Sequence, residues 1–295
     1  METIITKEDK ILLLDEDDNQ ISLSPFKTEL INFEKIRNIK SETETPENIL
    51  IIGWNSRANQ LLREMDHYLP IESNIRIFVN QALVKDSDII KELKSLKFDV
   101  NVVNGITTDR ELLSSLELNI FNHIILLSYS DRLSHQAADA KTLITLLHLR
   151  DIASNDEGCH YSILTEMLDV KNLELAEVTK ADDFIISDRF ISLLLSQISE
   201  RKELSSVFKQ IFNNEGSEIY LKPAQKFVEL NQKVNFYTIV ESARKRNEVA
   251  IGYRIGKDSQ NHLANYGIVL NPHKLEMRSY SLEDKIIVLS ESFNC

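Results

Sequence analysis

Cysteine is scarce: Cys159 and Cys295 are the only two in 295 residues. They form no CxxC metal site, and so few thiols suit a reducing compartment rather than a disulfide-braced secreted fold. Long apolar runs are missing too. A bilayer-spanning helix needs roughly 18–20 consecutive apolar residues. The most apolar window, 184–198, is interrupted by Ser187, Asp188, Arg189 and Gln197. The opening Met-Glu-Thr-Ile-Ile-Thr-Lys-Glu has no signal-peptide pattern. These absences read as a chain that is itself soluble, which is compatible with its being the soluble part of a membrane protein. Positive charge is in deficit, with 34 Lys and Arg against 46 Asp and Glu and a net charge of −12. That argues against a nucleic-acid binder, because phosphate recognition wants clustered cations. Catalytic signatures are absent as well: the chain has no G-x-S-x-G, H-E-x-x-H or P-loop. None of its seven histidines forms a pair at metal-ligand spacing backed by a nearby cysteine. A non-enzymatic protein is the expectation. The acidic run Asp15-Glu-Asp-Asp18 fails as an EF-hand loop, since the positions for the turn glycine and the final glutamate hold Gln20 and Phe26.

What is present is an alternation of strand and helix patterns. Strands are predicted at 48–53, 75–80, 98–104, 123–129, 161–167 and 183–186. Several are near-continuous apolar runs, as expected when both faces of a sheet are covered. Helical patterns lie between them at 56–67, 86–96, 108–115, 134–151 and 171–178. In the fourth, Ala137, Ala140, Leu143, Ile144 and Leu147 fall at helical spacing, and Asp131 and Ser134 sit where an N-cap would be. The fold class is therefore α/β, a Rossmann-like, doubly wound parallel sheet. The strand candidate 10–14 and the polar, proline-ended stretch 41–46, read as a linker, precede it. From 189 to 214 the character changes to two helices apolar on most faces, carrying Phe190, Leu194, Ile198, Phe208 and Phe212. Such helices bury themselves against something, often a second subunit. Residues 215–295 read as a small α+β lobe, with strands at 217–222, 249–255, 267–270 and 284–291 and a helix at 236–246 capped by Asn235. Arg244-Lys-Arg246 reads as a helix C-terminus favoured by the dipole.

The first strand ends in Gly53-Trp-Asn-Ser-Arg-Ala58, a worn dinucleotide-binding turn. The G-x-G-x-x-G pattern needs its first glycine for the turn, its second for phosphate approach and its third for helix packing. Gly53 and Ala58 serve the first and third roles, while Asn55 would stand where phosphate packs. The acidic ribose-gripping residue expected at the end of the second strand is Asn80. Arg57 and the helix N-terminus could still hold an anion. Candidate ligand-binding residues are thus Gly53, Asn55, Arg57 and Asn80, with NAD or another nucleotide a weak prospect. Acidic residues gather at the ends of the later strands, namely Asp131, Asp139, Glu166 and Asp169. Carboxylates converging on one crevice would suit Ca²⁺, which takes roughly six to eight oxygens, so Asp131, Glu166 and Asp169 are the candidate metal ligands. The bland alternative is that Asp131 caps a helix and the others are solvated.

Several stretches resemble the CASTOR/POLLUX family of ion channels, and within it the second, C-terminal RCK (regulator of K⁺ conductance) module. These are Ile49-Leu-Ile-Ile-Gly-Trp54, the run 139–152 with Leu-x-x-Arg-Asp-Ile, the run 186–196, and Ala250-Ile-Gly-Tyr-Arg254 followed by Asn271-Pro272. The resemblance covers about residues 48–292. It implies a Rossmann-like N-lobe at 48–188, a helical crossover and dimerisation segment at 189–214 and a C-lobe at 215–295, with 1–47 the end of a preceding RCK module plus linker. It further implies a ligand-sensing regulatory module on the cytoplasmic side of a membrane, coupled to its own transmembrane pore or to a partner channel. Homo-oligomers, dimers building a tetrameric ring, would follow. By the same resemblance Glu166 matches a Ca²⁺-binding position, Asp131 matches less closely, and the second acid after strand five is displaced to Asp169. The alternative is a stand-alone, Trk-like nucleotide-binding subunit of a K⁺ transporter. A nicotinamide-dependent oxidoreductase lacks a recognisable proton donor after residue 216.

Overall fold

The computed structural model describes residues 6, 30–37, 39, 45–89, 96–156, 161–172, 183–213, 216–259 and 261–291. The expected strand at 10–14, the acidic run 15–18, both cysteines and the expected helix beyond residue 172 lie outside them. The chain divides into two compact units, one of residues 43–209 and one of residues 1–42 together with 210–295.

The first unit is a six-stranded sheet whose paired strands all run parallel. Its strands are β1 (Asn48–Ile52), β2 (Asn74–Val79), β3 (Asp99–Asn104), β4 (His123–Leu126), β5 (Ser162–Met167) and β6 (Asp183–Ile186), in the order β3-β2-β1-β4-β5-β6. Strand side chains alternate between faces, and β1 feeds two separate cores. Ile49 and Ile51 pack with Ala58 and Leu62 of α1 (Arg57–Tyr68), whereas Leu50 and Ile52 pack with Leu113 of α3 (Arg110–Ser114) and Leu146 and Leu149 of α4 (His135–Asn155). Between β2 and β3 lies α2 (Asp86–Ile89). The order reverses between β1 and β4, and that is where the carboxyl ends of doubly wound sheets open a crevice.

The expected apolar stripe of α4 is present but faces outward, with Ile144 and Leu147 44% and 52% exposed. Its inner face instead carries Ala138, Thr142, Thr145, Leu146 and Leu149. The polar atoms there are satisfied locally, since Thr145 Oγ1 contacts the carbonyl oxygens of Thr107 and Lys141 at 3.0 and 2.9 Å. Ser134 is the α4 cap, its hydroxyl accepting from the Ala137 N–H. Asp131 is not; it serves a different helix.

After β6 come α5 (Ser187–Glu200) and α6 (Leu204–Ile211). The second unit then holds a four-stranded antiparallel sheet, order β10-β9-β12-β7, made of β7 (Glu218–Pro223), β9 (Val249–Arg254), β10 (Ile268–Leu270) and β12 (Lys285–Ser290). One face packs on α7 (Phe236–Arg244) through Ala250, Tyr253, Ile286 and Val288 against Phe236, Ile239 and Ala243. Asn235 caps α7 as expected, accepting from the Thr238 N–H at 3.0 Å. A small two-stranded sheet, β8 (Lys233–Asn235) with β11 (Met277–Ser279), escapes the sequence pattern because each strand is short and mixes polar with apolar residues, unlike the equally short but apolar β10. Arg246 also departs from the sequence reading. It lies past the helix end, 6% exposed, and bonds Glu248 and the Ile39 carbonyl.

Candidate functional site

The crevice is built on the turn after β1. Gly53 has φ +88°, and a Cβ there would meet the Leu127 carbonyl oxygen at 2.0 Å. Left-handed backbone and close approach of the neighbouring strand both require glycine. The turn then delivers four residues to the start of α1. Asn55 is buried, 2% exposed, with its Nδ2 donating to the Ser128 carbonyl and to Glu166 Oε2, each at 2.8 Å. Its Oδ1 accepts from the Arg57 N–H at 3.0 Å. The Ser56 N–H donates to Asp131 Oδ2. Ala58 N–H is bonded to the Asn55 carbonyl.

Two carboxylates therefore close the mouth of α1. Asp131, from the loop after β4, sits on the Ser56 amide, where the helix dipole and unpaired N–H groups attract an anion. Glu166, in β5 and 8% exposed, binds three groups: the Asn55 amide, the Ser128 N–H at 3.0 Å, and the Arg57 guanidinium as an ion pair. That is three partners from two chain segments, the turn after β1 and the end of β4, around one carboxylate, and the third segment is β5 itself.

On the β2 side, Asn80 Oδ1 accepts from the Ala82 N–H at 3.0 Å, a local turn that leaves nothing projecting to grip a ribose. Its own N–H donates to the Tyr129 hydroxyl at 3.1 Å. Burial pushes the Tyr129 phenol up from its ordinary pKa, and hydrogen bonds to Thr107 and Asn80 draw it part of the way back. A small crevice beside it is lined by Gly53, Thr107, Tyr129, Lys141, Thr142 and Thr145.

Asp139 is fully buried on α4 and organises the loop after β5. It accepts from the Leu168 and Asp169 N–H groups, both at 3.0 Å, and from Asn172 Nδ2 at 2.7 Å. Asp169 turns instead to the Lys171 N–H at 2.9 Å.

No family model matches the sequence. Curated relatives do. A probable ion channel POLLUX of Oryza sativa subsp. japonica is 27% identical over 99% of this chain and 33% of its own length. The ion channel CASTOR of Lotus japonicus is 25% identical, over 98% of this chain and 37% of its own length. A probable ion channel POLLUX of Arabidopsis thaliana is 26% identical over 98% of this chain and 38% of its own length. The chain is thus similar to the CASTOR/POLLUX ion channels along nearly its whole length. It spans about a third of the length of those relatives. Among solved structures, the human SLO3 gating ring matches over 83% of this chain and 44% of that one, with a TM-score of 0.52 and 12% identity. That likeness shows a shared fold, in which a Rossmann-like unit is followed by helices and a small α+β unit.

The sequence-derived site residues fall into three groups. Gly53, Asn55, Arg57, Asp131 and Glu166 come together at the start of α1. Asn80 joins the same edge through Tyr129. Asp169 is drawn away to Lys171. Among the described residues no three His, Cys, Asp or Glu side chains are grouped to hold a metal ion. As arranged, Asp131 and Glu166 spend their oxygens on Ser56, Asn55, Ser128 and Arg57, so a calcium ion has no ready seat there. Sequence reasoning missed Ser56, Ser128 and Tyr129. Their signal was position, since each flanks the carboxyl end of β1 or β4.

The helix pair presents much of its apolar surface to solvent in the single chain. Phe190, Leu195 and Phe212 are 49%, 62% and 58% exposed, while Leu194, Ile198 and Phe208 are half-buried. No helix among the described residues is long and apolar enough to cross a membrane.

Proposed function

We propose that the chain is a non-enzymatic regulatory module of a cation channel, working from the cytoplasmic side of the membrane and coupling a change in its own geometry to a pore. The observation that carries this reading is the similarity to CASTOR and POLLUX channels along nearly the whole chain, at 24–27% identity. The gating-ring fold and the exposed apolar helices support it. The module assembles through Phe190, Leu194, Ile198, Phe208 and Phe212, first as a dimer and then within a ring. A ligand that favours one ring geometry shifts the population by its differential affinity and no further.

The crevice at Gly53, Asn55, Arg57 and Asn80 is a poor nucleotide site, because a phosphate approaching α1 meets Asp131. A cation such as Ca²⁺ would have to draw Glu166 away from Arg57 before Asp131 or Asp169 could join it. Calorimetric titration of the chain with Ca²⁺, K⁺, NAD and ADP tests the ligand half of the reading. Ca²⁺ binding that is lost in Glu166→Gln would support cation sensing; binding unchanged by that substitution would remove Glu166 from the site. Light scattering on Phe190→Asp tests the assembly half. A drop in mass is expected, and an unchanged oligomer would exclude this surface.

A further inference from the structure

Residues 30–39 come before the parallel sheet in sequence, yet they belong to the second unit. Their contacts there are specific. Asn235 Nδ2 donates to the Leu30 carbonyl at 2.7 Å, while its Oδ1 caps α7. The Asn32 N–H donates to Thr238 Oγ1 at 3.1 Å. Ile36 pairs antiparallel with Val228, flanked by Arg37 N–H to the Phe227 carbonyl at 2.8 Å and Glu229 N–H to the Lys35 carbonyl at 3.0 Å. Lys35 also pairs with Glu229 at 3.0 Å, and Ile31 is buried. This is a short segment of the same chain docked through a 3₁₀ turn at Phe33–Lys35 and one antiparallel bridge at Ile36, with main-chain bonds giving grip and side chains giving register.

The last anchor is unlike the others. Arg246 Nη1 donates to the Ile39 carbonyl at 2.9 Å, while its guanidinium lies over Phe227 and its Nε reaches Glu248. Glu248 is fully buried and also holds the buried Lys222 ammonium at 2.9 Å. Two buried cations thus share one carboxylate, and the carbonyl of Ile39 gives Arg246 a further acceptor. Releasing the strap would remove that acceptor from a buried guanidinium.

We infer that residues 30–39 form a releasable latch on the C-terminal unit, locked by Arg246, so that displacement of the chain upstream of residue 30 is delivered to the C-terminal unit before it reaches the parallel sheet. The inference stands on contacts within one unit and does not depend on the channel reading. Amide hydrogen exchange on the intact chain tests it. In the unmodified protein the Asn32, Arg37 and Glu229 amides should be protected. Arg246→Lys, which keeps the charge but loses the fork, should speed their exchange at least tenfold and leave the amides of β1 and β12 unchanged. Thr238→Val, which removes the acceptor for Asn32, should do the same and carries the test should Arg246→Lys fail to fold. Free-peptide exchange in the unmodified protein, or acceleration that spreads equally to β12, would overturn the latch. Delivery of displacement is read by pulling the chain between Met1 and Glu291. The first rupture should occur at lower force in Thr238→Val, and a first rupture insensitive to that change would overturn it.

Discussion

Each unit of this protein buries a carboxylate among cations and amides, and the two do so in opposite ways. Glu248 is sealed, fully buried between Lys222 and Arg246. Glu166 is at the mouth of a crevice, and its cationic partner Arg57 has a side chain 52% exposed. The side chains of the first network have almost no exposure, so they act as a brace whose outward link is the Arg246 bond to the Ile39 carbonyl. The second opens to solvent through Arg57. Location relative to the sheet edge, more than the residue types, separates a brace from a candidate switch.

The single tryptophan makes the contrast measurable. Trp54 is buried in the first unit, so its fluorescence reports that unit, whereas far-UV ellipticity reports both. The largest effect should come from Glu248→Gln. It leaves two buried cations without their carboxylate and should cost about 3–5 kcal/mol. Urea unfolding by ellipticity should shift while the Trp54 midpoint holds; a shift in both would mean that the units melt as one. Gly53→Ala should reverse the pattern, moving the Trp54 midpoint by roughly 2–3 kcal/mol, because it imposes a left-handed alanine against the Leu127 carbonyl. Asp131→Ala removes only an exposed acceptor from the start of α1. It should cost about 1 kcal/mol in the Trp54 transition, and a loss as large as that of Gly53→Ala would show the mouth to be a brace after all.

The smallest effect is a pH dependence in the second unit. Arg244, donating both a hydrogen bond and its charge, holds the Glu241 carboxyl below its ordinary pKa. A depressed carboxylate stabilises the fold above the unfolded value and loses that contribution as pH falls through the folded one. Unfolding curves of the protein and of Glu241→Gln should therefore converge as pH drops below about 4. Curves equally far apart at pH 3 and pH 6 would remove this pair from the account.

Much of the fold was readable in the sequence, for identifiable reasons. The strands of the parallel sheet are apolar on both faces, and a run such as Asn48–Ile52 has few other ways to be buried. Gly53 was readable because only a turn with positive φ demands glycine there. The partners of the site were not. Asp131 looked like a cap for α4, which begins four residues later, yet it caps α1, some 75 residues away in sequence. Asn55 looked like an obstruction to phosphate, and its side chain is in fact turned inward onto Glu166. Sequence spacing registers neighbours along the chain, while a sheet edge is assembled from segments that only the strand order brings together. Arg246 was misread for a related reason: a charge in a basic run defaults to solvent unless a buried acceptor is known, and its acceptors are Glu248 and a backbone carbonyl from residue 39.

The latch also sets a timetable for biosynthesis. Asn32 and its acceptor Thr238 are 206 residues apart. At a synthesis rate of ~5–20 residues per second, the upstream segment leaves the ribosome roughly 10–40 s before its binding surface exists. The parallel-sheet unit, contiguous from 43 to 209, is complete within that interval and can fold first. For that time the segment around Ile31 and Phe33 has no docking surface for its apolar side chains, and the growing chain must keep it from other partners until Arg246 emerges.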